Sequence, residues 1–516
     1  MPDPRAAPQE PGPPPDREEV LDYLADFLAQ TSPRLLLITG TPGTGKSNLL
    51  VTLSRRVRGP KIFIAYRISP TARSGEPLPD DGEHTTSLLL VDPDRAPPGT
   101  PEPPPGAAAL PGVAAAGAAA GMGASLPAPI RDAVARIVSQ GGGSVFVDSW
   151  DRSSEATFSR SLPAGAAVEM TGLTRQMREA VNRFPLHVVV ALAGIPDAGM
   201  ESLADAIVEL KQESVDGCRL RIGSVRKVRW HPLGEPNFLF TLSGGKFRSF
   251  PRLTRAFAIP IGPPSPDPVP EEPTTWPGSA DFAGAFGRLR HHALTGFEMS
   301  PLLPYRLVEV FGVPAAAHVL RSGGRVLWIP SPQVPPSSIC HELLRSVNHD
   351  WLRERLRMLS AAGPDRTLGD LQSVLLPVRR TVGEGTELRT ATAAPVGPAF
   401  PEAYRFLRDG TPETPALFVL SLDGLRALAS VSGVSYPTPQ FPLILSAYLK
   451  LPRFHGLGFG RSDDPLTQAA LPSVETHLKV REHLGRVVIS GVRPETPGYV
   501  LDWSDPEGRY DLLRID

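Results

Sequence analysis

RLLLITGTPGTGKSNLL, Arg34 to Leu50, decides how the first half of this chain is read. Leu35 to Ile38 form a short continuous apolar run, the pattern of a strand buried on both faces. The loop Gly40-Thr41-Pro42-Gly43-Thr44-Gly45-Lys46-Ser47 comes next, and SNLLVTLSRRV has helical character. Strand, glycine loop and helix are the context that the GxxxxGK[ST] spacing requires. Glycines let consecutive backbone N–H groups converge on phosphate oxygens, and the new helix points its positive end at the same spot. In such a loop Lys46 reaches the terminal phosphates of ATP, and the Ser47 hydroxyl holds Mg²⁺. A second Mg²⁺ ligand is expected at the end of another buried strand, and VFVDSWD supplies Asp148. LHVVVALAG, Leu186 to Gly194, makes a third apolar strand. Strands alternating with helical stretches predict an α/β fold with a largely parallel sheet flanked by helices.

The bulk numbers set the frame. A chain of 516 residues exceeds what one hydrophobic core supports, which predicts two domains. A formal net charge of -1 gives no electrostatic reason for the whole surface to collect nucleic acid or anionic lipid. Cys218 and Cys340 are too few for a disulfide framework and have no zinc spacing, which points to a reducing compartment. The proline-rich start, MPDPRAAPQEPGPPPD, is no secretory signal, and GAAALPGVAAAGAAAGMGA is too weakly hydrophobic to span a membrane. The expectation is a cytoplasmic protein without a membrane partner. Sixty prolines and 48 glycines concentrate in the tail 1–15, in a segment 96–129 and in 259–279. The first two are expected to be disordered and the third to be a semi-extended linker. That leaves 16–258 and 280–516 as the domains. Asp16 with Glu19 forms a capping-box pattern, and Val20, Leu21, Leu24, Phe27 and Leu28 follow at helical spacing.

The succession GTPGTGKS, VFVDSWD, HVVVALAG, LADAIVELK and CRLRIGSVRKVRW…NFLFTLSGG resembles the RecA-like ATPases of the KaiC type, over about Asp16 to Arg255. The resemblance implies a RecA-like domain that binds Mg-ATP through Gly40–Ser47 and Asp148. One departure matters. KaiC-type hydrolases carry a glutamate pair after the second strand, where KIFIAYRISP places Arg67 and Ile68. A guanidinium stays protonated and cannot act as a general base. The nearest later glutamate is Glu76. A strand followed by arginine is similar to the P-loop domain of gas-vesicle regulators of the GvpD type. That likeness implies nucleotide binding in a regulatory protein with a protein partner or self-association. An active ring-forming ATPase or kinase is the alternative. RLRIGSVRKVR has three readings: a charged strand edge, a nucleic-acid patch, or the family's Lys-x-Arg pair. In KaiC-like rings that pair touches a neighbouring subunit's γ-phosphate, and Lys227 and Arg229 match it. IPDAGMESLAD, where a RecA-type DNA loop belongs, has no Lys or Arg, which argues against a DNA recombination mediator.

In the second half, RVLWIPSPQVPPSSICHELL (Arg325 to Leu344) aligns without a gap on the stretch from Arg34. Lys46 then meets Ser337, Ser47 meets Ser338, and Gly43 and Gly45 fall on Val334 and Pro336. RVVISGVR matches RLRIGSVR, YVLDWSDPEGRY matches FLFTLSGGKF, and ALFVLSLDG puts Ser421 where Asp148 stands. Pro332, Pro335 and Pro336 lack N–H donors. The expectation is a second RecA-like domain whose turn at Ser331–Ser338 is a P-loop without function. FGRLRHHALTGF, with His291 and His292, reads as an amphipathic helix without a metal site, and Trp150, Trp230 and Trp328 read as packing residues.

Overall fold

The computed structural model describes residues 19–30, 32–65, 86–90, 126–148, 166–194, 196, 198–215, 217–229, 236–250, 280–287, 292–361, 365–376, 399–410, 414–432, 451, 453–502 and 511–515. The tail 1–15, most of the segment 96–129 and the linker 259–279 lie outside them, as do Arg67, Ile68, Glu76, Trp150, Trp230 and His291. The chain divides into two compact units, Met1–Pro251 with Ile515–Asp516, and Arg252–Arg514. Each is an α/β unit around one nine-stranded, mostly parallel sheet.

The first unit contains α1 (Glu19–Leu28), β1 (Leu35–Gly40), α2 (Lys46–Arg56), β2 (Lys61–Ala65), β3 (Thr86–Leu90), α3 (Ala128–Ser139) and β4 (Gly143–Asp148). It continues with α4 (Ala166–Arg183), β5 (Leu186–Ala191), α5 (Ala198–Leu203), β6 (Ala206–Val215), β7 (Cys218–Val228), β8 (Asn237–Thr241) and β9 (Arg248–Ser249). Strand order is β3-β2-β4-β5-β1-β6-β7-β8-β9, parallel as far as β6 and antiparallel from there. Period-two alternation sends one set of strand residues to each face. Leu36, Ile38, Phe146 and Val189 pack with Leu21, Leu24 and Phe27 of α1 and Leu49, Leu50 and Leu53 of α2. Leu35, Leu37, Val145 and Val188 pack with Ile130, Val134 and Ile137 of α3 and Met177 and Val181 of α4. Residues buried on both sides explain why these strands read as unbroken apolar runs.

The second unit contains α6 (Ala280–Phe286), β10 (Ala293–Met299), α7 (Leu307–Arg321), β11 (Arg325–Ile329), α8 (Pro336–Leu344), α9 (His349–Arg355) and β12 (Leu356–Met358). After it come α10 (Ala399–Arg408), β13 (Ala416–Ser421), α11 (Leu422–Ser432), β14 (Phe454–Arg461), α12 (Pro465–Ala470), β15 (Thr476–His483), β16 (Arg486–Arg493), β17 (Glu495–Asp502) and β18 (Asp511–Arg514). Its strand order, β12-β11-β13-β14-β10-β15-β16-β17-β18, repeats the first sheet strand for strand. Fine details repeat as well. The Asp205 N–H donates to Leu35 O in one sheet and the Glu475 N–H to Leu294 O in the other. A register shift falls between Ile207 and Val208 and, at the matching position, between His477 and Leu478.

This order corrects the sequence alignment. The counterpart of β1 is β10, so Arg325–Ile329 (β11) corresponds to β2, and the turn at Ser331–Ser338 is not the counterpart of the glycine loop. Both β1 and β11 are apolar strands running into a loop and an amphipathic helix, and in a doubly wound sheet every such unit has that profile. Carrying register from β1 through β5 to β4, and from β10 through β14 to β13, does set Ser421 against Asp148. The described part of FGRLRHHALTGF departs from the expected helix: α6 ends at Phe286, exposed His292 adopts φ 61, and Ala293–Met299 is the central strand. At the end of the segment 96–129, α3 begins at Ala128 with Pro129 in its first turn, where a missing N–H costs nothing. Trp328 is fully buried, as a packing residue should be.

Asp205, fully buried where β6 begins, accepts from the Leu35 N–H at 2.9 Å, pairs closely with Arg178, and has Arg229 at 3.7 Å. Asp205→Ala leaves the Leu35 N–H without this acceptor and breaks the ion pair with Arg178. The expected loss is about 3 kcal/mol from the first unit in urea melts.

Candidate functional site

The loop after β1 is shaped by three glycines with positive φ: Gly40 at 148°, Gly43 at 83° and Gly45 at 100°. At Gly40 a Cβ would lie 2.3 Å from the Leu210 carbonyl oxygen of β6, so glycine is required by space as well as by torsion. At Gly43 a Cβ meets nothing within 4 Å, and torsion alone selects glycine. The Leu242 side chain closes on Gly45, and Asn48 Nδ2 donates to Gly245 O at 2.7 Å, so the turn after β8 braces the start of α2.

Thr41 and Pro42 form the exposed first corner, closed by the Thr44 N–H to Thr41 O bond at 3.3 Å. Lys46 Nζ curls back over the loop and donates to Gly40 O at 2.7 Å and Thr41 O at 2.9 Å. Ser47 Oγ donates to Asp148 Oδ1 at 2.9 Å. Asp148 ends β4 and is buried, so the sheet brings a hydroxyl and a carboxylate 101 residues apart in sequence to one point. A hydroxyl and a carboxylate side by side are hard oxygen ligands of the kind Mg²⁺ prefers.

The basic strand β7 divides its charges between the two ends of the sheet. Arg221 Nη1 donates to Gly43 O at 3.1 Å, directly on the loop. Lys227 and Arg229 lie toward the β1 start, roughly 10 Å and 17 Å down the strand direction from Gly40. Lys227 Nζ donates to Glu201 O, and Arg229 donates to Ser202 O. Burial, then the neighbouring Arg229, pulls the Lys227 ammonium below its ordinary pKa. Arg226 pairs with Glu201 at 3.3 Å and reaches Glu209 at 3.8 Å. Sequence reasoning placed Arg221 only within the basic run RLRIGSVRKVR and had no signal for its contact with the loop, because the partner is 178 residues away.

In the second unit the matching loop runs from Met299 to Arg306. The Leu303 N–H to Ser300 O bond at 3.1 Å reproduces the turn at Thr41–Thr44. Continuing that register, Leu302 replaces Gly43, Pro304 replaces Gly45, Tyr305 replaces Lys46 and Arg306 replaces Ser47. Tyr305 is buried with the Arg461 guanidinium 4.1 Å from its ring centre, and Arg461 also donates to Ser300 O at 2.7 Å. Burial, reinforced by the Asp423 carboxylate, raises the Tyr305 hydroxyl pKa. Asp423 accepts from Ser331 Oγ at 2.6 Å and from Ser421 Oγ. At the α8 N-terminus, where the sequence alignment had put the dead loop, Asp365 of the same chain accepts from the Ser337 N–H at 3.1 Å.

Among the described residues no cluster of His, Cys, Asp and Glu could hold a metal by itself, and no helix is long and apolar enough to cross a membrane. The chain matches no model of a known protein family. Nor does it match the sequence of any characterised protein with which it was compared.

Two outcomes test this geometry. Gly40→Ala is expected to destabilise by about 2 kcal/mol or more, since backbone must move, and Gly43→Ala by about 1 kcal/mol from torsion alone; denaturant melts rank them. Hydrogen bonds from Thr367 and Ser337 hold Asp365 down at about 2, below its ordinary 3.8. A depressed carboxylate stabilises above its unfolded pKa and loses that contribution as pH falls through the folded value. The melting difference between wild type and Asp365→Asn should therefore be full at neutral pH and shrink from about 4 down to about 2.

Proposed function

We propose that the first unit binds ATP with Mg²⁺, and that the protein is a nucleotide-dependent regulator of the RecA/KaiC type. The observation that carries this reading is the convergence of Ser47 Oγ and Asp148 Oδ1 at 2.9 Å beside a loop turned by three positive-φ glycines. Gly40, Thr41, Pro42, Gly43, Thr44, Gly45, Lys46 and Ser47 would hold the phosphates, and Ser47 with Asp148 would hold the metal. Bound Mg²⁺ would neutralise phosphate charge there. The crowding at Gly40 supports a fit, because a side chain would fill the place where the backbone closes on its neighbour.

The second unit supports regulation more than a second reaction. Tyr305 and Pro304 stand where an ammonium and a glycine belong, and the tyrosine is held by Arg461. This unit is proposed as a RecA-like domain without a functional P-loop that meets a protein partner or another copy of the chain. Arg67 after β2, unfit as a base, favours binding over turnover and carries the gas-vesicle resemblance, so gas-vesicle formation is the process we propose it regulates. Lys227 and Arg229 fit the charged-strand reading better than a contact with a neighbour's nucleotide, since their own chain engages them.

Calorimetry with MgATP on the full chain tests the proposal. Wild type should bind, and both Lys46→Ala and Asp148→Asn should weaken binding at least about tenfold, each lost charged contact costing roughly 1.5–3 kcal/mol. Absence of wild-type binding, or binding indifferent to Lys46→Ala, would refute it. Mg²⁺-dependent phosphate release in a single turnover, lost on Lys46→Ala, would replace the regulator with an ATPase.

A further inference from the structure

We infer that Arg221 is a positioning residue of the phosphate loop, a cation supplied in cis by the antiparallel half of the sheet. The inference rests on the nucleotide-binding reading above. Its basis is one contact and its surroundings. Arg221 sits on β7 opposite Gln212 of β6, two strands away from β1 in the sheet. Its Nη1 nevertheless crosses to the Gly43 carbonyl oxygen, 3.1 Å away.

Gly43 is the loop residue with the least local support. It is exposed, has φ 83°, and a Cβ there would touch nothing within 4 Å, so no packing fixes its torsion. Other contacts secure the loop on either side. Gly40 is pressed against Leu210 O, and Gly45 lies under Leu242. Lys46 ties down Gly40 and Thr41, while Thr44 Oγ1 donates to Thr41 O at 2.8 Å. The guanidinium bond to Gly43 O holds the peptide between Gly43 and Thr44 from its carbonyl end, while its N–H end is held by the 3.3 Å bond from Thr44 N–H to Thr41 O. A planar trans peptide fixed at both ends cannot rotate, so the two bonds together set the course of the loop at Gly43.

Arg221 also brings a positive charge beside the loop, where anionic phosphates gain from it. The other basic residues of this strand do different work. Lys227 and Arg229 are engaged with Glu201 O, Ser202 O and Asp205 near the far end of β1. A geometric clamp and a charge predict different outcomes for different replacements: Arg221→Met removes both, whereas Arg221→Lys keeps the charge and loses the planar fork.

The test titrates MgATP, and separately inorganic triphosphate, into the full-length wild type and the Arg221→Met, Arg221→Lys and Lys46→Ala variants, at low and high salt. Melting curves verify that each variant is folded. The inference expects Arg221→Met to weaken MgATP and triphosphate binding about tenfold, with a shallower salt dependence because one cation is gone. Arg221→Lys should recover the salt dependence but only part of the affinity. Should Arg221→Met not fold, Arg221→Lys decides by the same affinity reading. Wild-type-like affinity in the folded variants, with Lys46→Ala impaired, overturns the role of Arg221 and leaves the nucleotide-binding proposal standing. Failure of the wild type to bind either probe overturns both.

Discussion

The close approach of Gly40 to Leu210 sets the terms for the first unit. With a side-chain-free residue at its tip, β1 can turn at φ 148° while its neighbour's carbonyl sits where a Cβ would be. Everything that follows depends on that exit. The loop folds back under Lys46, α2 starts on time, and Ser47 is delivered to Asp148 across the intervening strand. In the second unit Met299 holds the matching position and lies buried in the core. None of the described residues of that loop takes a positive φ. The chain turns with the same first hydrogen bond and then seals itself with an aromatic ring and a guanidinium. One frame thus supports a glycine loop in one case and a packed polar plug in the other.

Charge is sorted along the sheet in the first unit. At the carboxyl ends of β1 and β4 Lys46 and Arg221 hold loop carbonyls and buried Asp148 accepts from Ser47. At the other end Asp205 is buried and gathers Arg178, Arg229 and the Leu35 N–H. The latter cluster is a fastening between strands and helices. Its basic residues resemble ligand-binding residues in sequence because composition does not record direction along a strand.

Much of this organisation was legible in the residues. The apolar runs gave β1, β4 and β5, because strands buried on both faces leave no polar alternation to confuse them. The glycine loop and Asp148 were found from local spacing, and the antiparallel pairing of β6, β7 and β8 agrees with the run of closing strands. The second half was harder. Its repeat was visible in β16, β17 and Ser421, yet β11 was mistaken for the counterpart of β1. Apolar strand, loop and helix recur throughout such a sheet, and only strand order tells them apart. The same ambiguity turned β10 into part of a helix, since ALTGFEM carries no period of its own. Arg221 was illegible for another reason: a bond spanning 178 residues exists only once β7 has been laid beside β6.

The register shift shared by β6 and β15 separates architecture from activity. An extra residue in the facing strand occurs at Ile207/Val208 and again at His477/Leu478, although one unit has the glycine loop and the other has Leu302, Pro304 and Tyr305 in its place. An irregularity indifferent to the chemistry of the neighbouring loop belongs to the frame. It bends the outer ribbon and increases its local coil, setting the aim of whatever side chains that ribbon carries. In the first unit one of those side chains is an arginine directed at the glycine loop; in the second the same irregularity persists beside a loop without those glycines.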